Sequence, residues 1–276
     1  VLENLFTVEI PMTVTFRGVN SRQSALICGP YGWGEFAPFL EYGAQESAAW
    51  LACALEAAWL PAPKPVRTRI PLNATLPAVP AERVPEVLAK YEGEIQELKI
   101  KVAEKGQSLA DDIARVAAAR EALPNARLKV DANMGYTLAG ALEALRKLCE
   151  YGIIYAEQPV ASIEDMAALR FAIAKEGLPA RIAADESIRK AEDPLKVARA
   201  NAADLMVIKA APLGGVRRAL ALVEQAQLPA VVSSALESSV GIATGASLAA
   251  SLPTLRYGCG LGTVSLMAED LSLIHI

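Results

Sequence analysis

The chain has 276 residues, 53% of them hydrophobic, 21% charged and 5% aromatic, with a net charge of −4 and a pI near 5.3. That length suits one large α/β domain, or one domain with a smaller companion, and the low aromatic content disfavours a sandwich or propeller. An acidic chain offers no basic stripe for a phosphate backbone, so nucleic acid is not expected as a partner. No uninterrupted apolar run reaches about 18 residues, so no membrane span is expected either. Cys28, Cys53, Cys149 and Cys259 are scattered without a C-x-x-C pair, as in a protein of a reducing compartment, and a cytoplasmic location is expected. The single histidine, His275, is the second-last residue, which leaves no imidazole inside the fold for a triad or a His-rich metal site.

Three short strand-like runs come first, Val8–Met12, Ser24–Cys28 and residues 32–37, divided by Gly, Asn and Pro. A helical stretch over 46–60 follows and stops at the Pro-rich Pro61-Ala62-Pro63-Lys64-Pro65. Residues 1–66 therefore read as a small α+β unit. The polar run Arg17 to Gln23 within it has the chemistry of a loop, and is expected to serve as a lid.

From residue 67 onward short aliphatic runs alternate with helical ones. Strands are expected at 70–74, 98–102, 128–132, 153–157, 182–185, 205–209, 230–234 and 256–259, and helices at Leu109–Ala122, Leu138–Leu148 and Val216–Ala226 between them. Eight strands with intervening helices, and no G-x-G-x-x-G after the early ones, point to a parallel (β/α) barrel over residues 67–262. Residues 263–276 read as a tail, truncated or foreign in origin.

Ionisable residues mark the ends of these strands. Lys99 and Lys101 stand two apart, hence on one face of their strand, with Leu98, Ile100 and Val102 on the other. A solvated lysine face on an edge strand is the alternative for these two alone. Asp131, Glu157, Asp185 and Lys209 then end successive strands at steps of 30, 26, 28 and 24 residues, each the length of one βα unit. Every repeat thus brings a charge to the C-terminal rim, where such barrels hold their active sites. Three converging carboxylates need a cation, and a hard divalent ion such as Mg2+ meets that need with few protein ligands. Lysines beside such an ion, with their pKa drawn toward neutrality, suit proton abstraction next to a substrate carboxylate. Asn133 shares the face of Asp131, and Ser234 ends the seventh strand; both are candidates to hydrogen-bond the substrate, with helix capping the alternative for the serine.

As a set, Lys99-Ile100-Lys101, Asp131-Ala132-Asn133, Glu157-Gln158-Pro159, Asp185-Glu186-Ser187, Lys209 to Gly215 and Trp33 to Pro38 resemble the enolase superfamily, in its K-x-K and lone-Lys branch. The resemblance implies a modified TIM barrel, (β/α)7β, with an N-terminal α+β capping domain. It also implies Asp131, Glu157 and Asp185 as ligands of Mg2+, with Mn2+ as a substitute, and Lys101, Lys209 and Lys99 as the catalytic lysines.

The run Ser233-Ser234-Ala235-Leu236-Glu237-Ser238-Ser239 is similar to that of a dehydratase branch. That branch carries out a syn-dehydration of 2-succinyl-6-hydroxy-2,4-cyclohexadiene-1-carboxylate, through an enediolate, in menaquinone biosynthesis. Racemisation of N-succinylamino acids by the same two lysine positions is the alternative. Cys259 to Thr263 lacks the D-x-D that holds a substrate ammonium in dipeptide epimerases. A small-molecule carboxylate is thus the expected partner of a monomer or small homo-oligomer.

Overall fold

The computed structural model describes residues 5–16, 18–189 and 193–271, so Arg17, His275 and the tail beyond Leu271 lie outside the described residues. In chain order the elements are β1 (Leu5–Phe16), β2 (Val19–Gly29), β3 (Gly32–Phe36), α1 (Ala44–Trp59), β4 (Ala74–Leu76), α2 (Val84–Leu88), β5 (Glu97–Lys101), α3 (Leu109–Ala122), β6 (Arg127–Asp131), α4 (Leu138–Leu148), β7 (Ile153–Glu157) and α5 (Ile163–Glu176). Then follow β8 (Arg181–Ala184), α6 (Glu186–Arg189), α7 (Lys196–Arg199), β9 (Leu205–Ile208), α8 (Ala210–Leu213), α9 (Val216–Ala226), β10 (Ala230–Val232) and α10 (Ser239–Ser251). The strands form a three-stranded antiparallel sheet, β1-β2-β3, and a seven-stranded sheet in strict chain order from β4 to β10. Consecutive parallel strands joined through helices are the expected barrel arrangement.

Two compact units divide the chain. One comprises Leu72–Val207 and Ala226–Pro229; the other comprises Val1–Pro71, Ile208–Gln225 and Ala230–Ile276.

In the Leu72–Val207 unit the registers run Leu98↔Leu128 and Lys101↔Asp131, then Asp131↔Glu157 and Glu157↔Ala183. Leu98, Ile100, Leu128, Val130 and Ile182 on one face, and Lys129, Asp131, Tyr155 and Ala183 on the other, are 1% exposed or less, so both faces of the sheet are covered. β5 lies between β4 and β6, which rules out the edge strand considered for Lys99 and Lys101. Three helices open on their own side chains: Ser108 accepts from the Asp111 amide, Thr137 from Gly140 and Ser162 from Asp165.

Three expectations shift. The run expected as a lid loop opens β2 from Val19, pairing Ser21 with Pro11 and Arg22 with Ile10. From Ser21 its residues alternate, with Arg22 and Ser24 buried while Gln23 between them faces water, so a period of two was present beneath the polar composition. The first barrel strand begins at Ala74 and not at Ile70, because Pro71 carries no N–H for a ladder. The eighth strand, expected over 256–259, is reduced to a parallel bridge between Ser233 and Gly260, with the Cys259 amide on the Pro71 carbonyl at 2.8 Å. Gly258 and Gly260 give that segment little strand preference, and a Cβ on Gly260 would lie 2.6 Å from the Ser233 hydroxyl.

In the second unit α1 packs on β3 so closely that a Cβ on Gly34 would stand 1.9 Å from the Ala54 carbonyl oxygen. Gly34→Ala should therefore destabilise the protein by about 2 kcal/mol or more, since backbone on both sides must move. Gly43→Ala, where no atom lies within 4 Å and φ is −72°, should stay within roughly 0.5 kcal/mol of the parent. Urea midpoints of the two variants compare them directly.

Candidate active site

Strand alternation builds the site in the Leu72–Val207 unit. Lys99 and Lys101 on β5, Asp131 on β6 and Glu157 on β7 share one face by the registers given above, and Asp185 follows β8 directly. Asp131, Glu157 and Asp185 are 1%, 1% and 2% exposed. Carboxylates so deeply buried require cations, and the protein supplies them. The Lys99 ammonium lies 3.2 Å from Glu157 and 3.4 Å from Asp131. Lys101 Nζ donates to Asp131 and to the Asn133 side-chain oxygen, both at 2.6 Å. Arg189, one turn along α6, sits 3.3 Å from Asp185 and 2.7 Å from Glu186. Burial alone would lower the Lys99 pKa, but Glu157, Asp131 and Asp185 together outweigh it and hold that ammonium above its usual range. For Lys99 this is opposite to the shift toward neutrality expected from the sequence, because three carboxylates surround it.

The loops beyond these strands are fixed by polar contacts. Gln158, fully buried with φ +38°, accepts the amides of Asp185 and Ser187 on its Oε1 at 3.0 and 3.1 Å, which ties the end of β7 to the end of β8. Asn133, with φ +43°, donates from its side chain to Glu186 at 3.3 Å. The other oxygen of Glu186, Oε2, is buried without a hydrogen-bond partner. Gln158, Glu186 and Arg189 were not singled out individually from the sequence, although the spacing of Asp185 and Arg189 is the i,i+4 signature of a helical ion pair. One step further down the strands, Lys129 pairs with Glu97 at 3.1 Å, and burial pulls Lys129 down to about 8 against the attraction of that carboxylate.

The donor chemistry suits a hard divalent cation: three buried carboxylates, with an orphaned fourth carboxylate oxygen beside them. Among the described residues no three His, Cys, Asp or Glu side chains are grouped closely enough to hold a metal. Lys99 stands between Asp131 and Glu157 instead, so the arrangement is the one in which ammonium and guanidinium groups supply the positive charge.

Lys209 and Ser234 belong to the other unit. Lys209, 7% exposed, follows β9 directly, and its carbonyl accepts the Leu213 amide at 3.3 Å. Gly214 and Gly215, at φ +86° and +121°, then let the chain turn against Glu56 of α1, whose carboxylate caps α9 through the Val216 and Arg217 amides. Ser234 shares a 2.6 Å hydrogen bond with Thr263, so its hydroxyl is not the helix cap of α10; that is Ser238.

A second buried acid group lies in this same unit. Glu35 on β3 accepts the Ser238 amide and hydroxyl at 3.1 and 2.5 Å and the Gly241 amide at 2.8 Å, at the start of α10. Glu237 accepts the Ala235 amide at 2.6 Å. Burial, and after it the charge of Glu35, push Glu237 up to about 7. The motifs Trp33 to Pro38 and Ser233 to Ser239 thus meet through the Glu35 carboxylate.

An acid whose pKa is raised on folding binds its proton more tightly in the folded state. The stabilisation is complete below the unfolded value of 4.5 and is lost as pH rises through about 7. Stability should fall across that window by an amount on the order of 3 kcal/mol. Urea midpoints measured from pH 4.5 to 8 should show this slope flattened in Glu237→Gln. An equal slope in that variant would assign the effect to another group.

Comparison with known proteins agrees with this architecture. Residues 81–273 match the family described as enolase C-terminal domain-like, and residues 7–58 the one described as enolase N-terminal domain-like. The o-succinylbenzoate synthase of Mycolicibacterium smegmatis is 57% identical over 99% of this chain and 83% of its own length. That of Mycobacterium tuberculosis strain H37Rv is 52% identical over 98% and 81%. Among solved structures, the L-Ala-D/L-Glu epimerase of Bacillus subtilis has a TM-score of 0.82 at 22% identity, covering 96% of this chain and 90% of that one. Muconate lactonizing enzyme of Pseudomonas fluorescens has a TM-score of 0.81 at 22% identity, covering 97% and 88%. With two superfamily domains matched in order and close relatives along nearly its whole length, the chain belongs to the enolase superfamily, in the o-succinylbenzoate synthase family of lyases.

Proposed function

We propose that this protein dehydrates 2-succinyl-6-hydroxy-2,4-cyclohexadiene-1-carboxylate to o-succinylbenzoate, a step of menaquinone biosynthesis in the cytoplasm. The observation that carries the proposal is Lys101, half-buried at the end of β5 and hydrogen-bonded to Asp131 and Asn133, in a chain 57% identical to an o-succinylbenzoate synthase. In this reading residues 1–66 form the capping domain and residues 67–262 the catalytic barrel.

Lys101 removes the proton alpha to the substrate carboxylate and returns a proton to the departing hydroxyl on the same face, so one group acts first as base and then as acid. Lys209 supplies a fixed positive charge to the anion that develops, with a cation–π contact to the ring as a further contribution. Lys99 holds Asp131 and Glu157 in place between proton transfers. Asn133 and Ser234 orient the substrate by hydrogen bonds. Asp131, Glu157 and Asp185 would hold Mg2+, or Mn2+ in its place, which would supply Lewis-acid stabilisation of negative charge on a substrate carboxylate. The reaction balances internally: the alpha proton and the hydroxyl leave as water, and the ring becomes aromatic without an oxidant.

Turnover of the cyclohexadiene carboxylate by purified protein, followed by ultraviolet absorbance with and without Mg2+, tests the reading. Aromatic product that disappears on exhaustive chelation is expected. Undiminished turnover after chelation would remove the metal from the account, and racemisation of an N-succinylamino acid without dehydration would replace the reaction.

The two lysines are separable. Lys101→Ala should abolish both dehydration and alpha-proton exchange, because the base is gone. Lys209→Arg keeps a charge that does not titrate, and should lose racemisation of any N-succinylamino acid while retaining a trace of dehydration. Deuterium incorporation from D2O, read by NMR beside product formation, distinguishes the roles. Exchange surviving in Lys101→Ala but not in Lys209→Arg would exchange the assignments.

A further inference from the structure

Behind Lys101 lies a polar cluster that none of these roles uses. Arg115 of α3 is wholly buried, and all three of its guanidinium nitrogens donate hydrogen bonds. Nε donates to the Val79 carbonyl at 2.6 Å; one Nη donates to the Lys101 carbonyl and to Asp112, both at 2.9 Å; the other donates to the Gln107 side-chain oxygen. Asp112, 1% exposed, accepts the Ala103 amide at 2.9 Å and the Tyr136 hydroxyl at 2.7 Å on its other oxygen.

Sheet pairing explains why this cluster sits where it does. β4 ends at Leu76, opposite Ile100, so the Lys101 carbonyl lies one residue past the last β4 partner. Arg115 takes the place of the missing strand by bridging the chain leaving β4, at Val79, to the chain leaving β5, at Lys101. Two residues later Ala103 is held at φ +58°, a left-handed conformation that a residue with a Cβ adopts at a cost. Its amide bond to Asp112 is what the structure offers in return. Gly135, in the loop after β6, fits against Ala103 so tightly that a Cβ there would stand 2.6 Å from the Ala103 carbonyl oxygen and 2.7 Å from its Cβ. Tyr136, the next residue, closes the circuit onto Asp112.

We propose that Arg115, Asp112 and Tyr136 are positioning residues for proton transfer by Lys101: they lock the ends of β5 and β6 together and so fix the Lys101 ammonium relative to Asp131 and Asn133. The inference rests on Lys101 being the base. Its physical warrant is that proton transfer requires near-contact geometry, so a displacement of about 1 Å originating outside the site can cost on the order of 100-fold in rate. None of the three needs to touch substrate for this.

Tyr136→Phe removes one hydroxyl from the circuit, and Asp112→Asn keeps the shape while weakening two accepted bonds. Both should lower kcat about 10-fold or more with KM within about 2-fold, and both should raise the kinetic isotope effect of alpha-deuterated substrate as proton abstraction becomes the slow step. Arg115→Lys should retain more activity than Arg115→Met. Arg120→Met serves as the structural control. It breaks four carbonyl contacts at the far end of α3, to Tyr151, Leu123, Pro124 and Ala126, and should lower Tm without changing the isotope effect.

Hydrogen exchange of residues 102–107 is read on the same proteins without any substrate, and protection there should fall about 10-fold in Asp112→Asn. Unchanged protection would overturn the clamp. An isotope effect unchanged in Tyr136→Phe and Asp112→Asn would overturn its link to proton transfer. Should the parent enzyme fail to dehydrate the cyclohexadiene carboxylate, the proposed function falls by itself. The same isotope comparison is then made on alpha-proton exchange of an N-succinylamino acid, and the hydrogen exchange decides the clamp in either case.

Discussion

Asp131 and Glu157 face each other at the ends of neighbouring strands, each 1% exposed, and the surroundings answer the charge they carry. Removing a carboxylate from water costs several kcal/mol unless a cation and further hydrogen bonds compensate it. Lys99 and Lys101 supply the cations for these two, Arg189 the one for Asp185, and the Asn133 amide adds a hydrogen bond to Asp131 at 3.2 Å. Replacing a buried ion cluster by hydrophobic residues of the same volume is often neutral or stabilising. Stability alone does not call for such a cluster, and it stands at the C-terminal ends of parallel strands, where barrels of this kind hold their active sites.

The same economy of buried acids organises the other unit. Glu56 caps α9 from α1, and Glu35 caps α10 from β3. Both hold segments that follow barrel strands to the N-terminal elements, and both require glycine next to the carboxylate: a Cβ on Gly215 would lie 2.5 Å from Glu56, and one on Gly241 2.4 Å from Glu237 and 3.0 Å from Glu35. Charged joints of this kind demand register as well as contact. A shift of one residue in α1 would carry Glu56 away from the Val216 amide and leave it buried without a donor.

The site's main acids and lysines were legible because each is a charged residue at the end of an aliphatic run, and repetition at one βα interval distinguishes such residues from isolated helix caps. Helix bounds at 109–122, 138–148 and 216–226 were legible from their 3.6-residue period. Two kinds of feature escaped. Arg22 is buried and Gln23 exposed in a polar run whose composition suggested a loop, and only the period of two carried the signal. Arg115, Asp112 and Tyr136 act through backbone atoms of distant segments, and no local pattern marks a guanidinium that bonds to a carbonyl 14 residues away. The glycine-flanked segment at 256–259 failed for the converse reason: its spacing fitted a strand, while its residues had little means of pairing as one.

Manganese binding followed by electron paramagnetic resonance tests the central claim most directly, because it reads the acid cluster without substrate or turnover. Free Mn2+ gives a six-line signal that broadens when the ion is bound, so titration counts sites. One saturable Mn2+ per chain, displaced by Mg2+ and weakened at least about 10-fold by Asp131→Asn, is the result expected if these carboxylates are built to exchange their ammonium partners for a hard cation. An unattenuated free-ion signal across the titration, or the same affinity in Asp131→Asn, would contradict it.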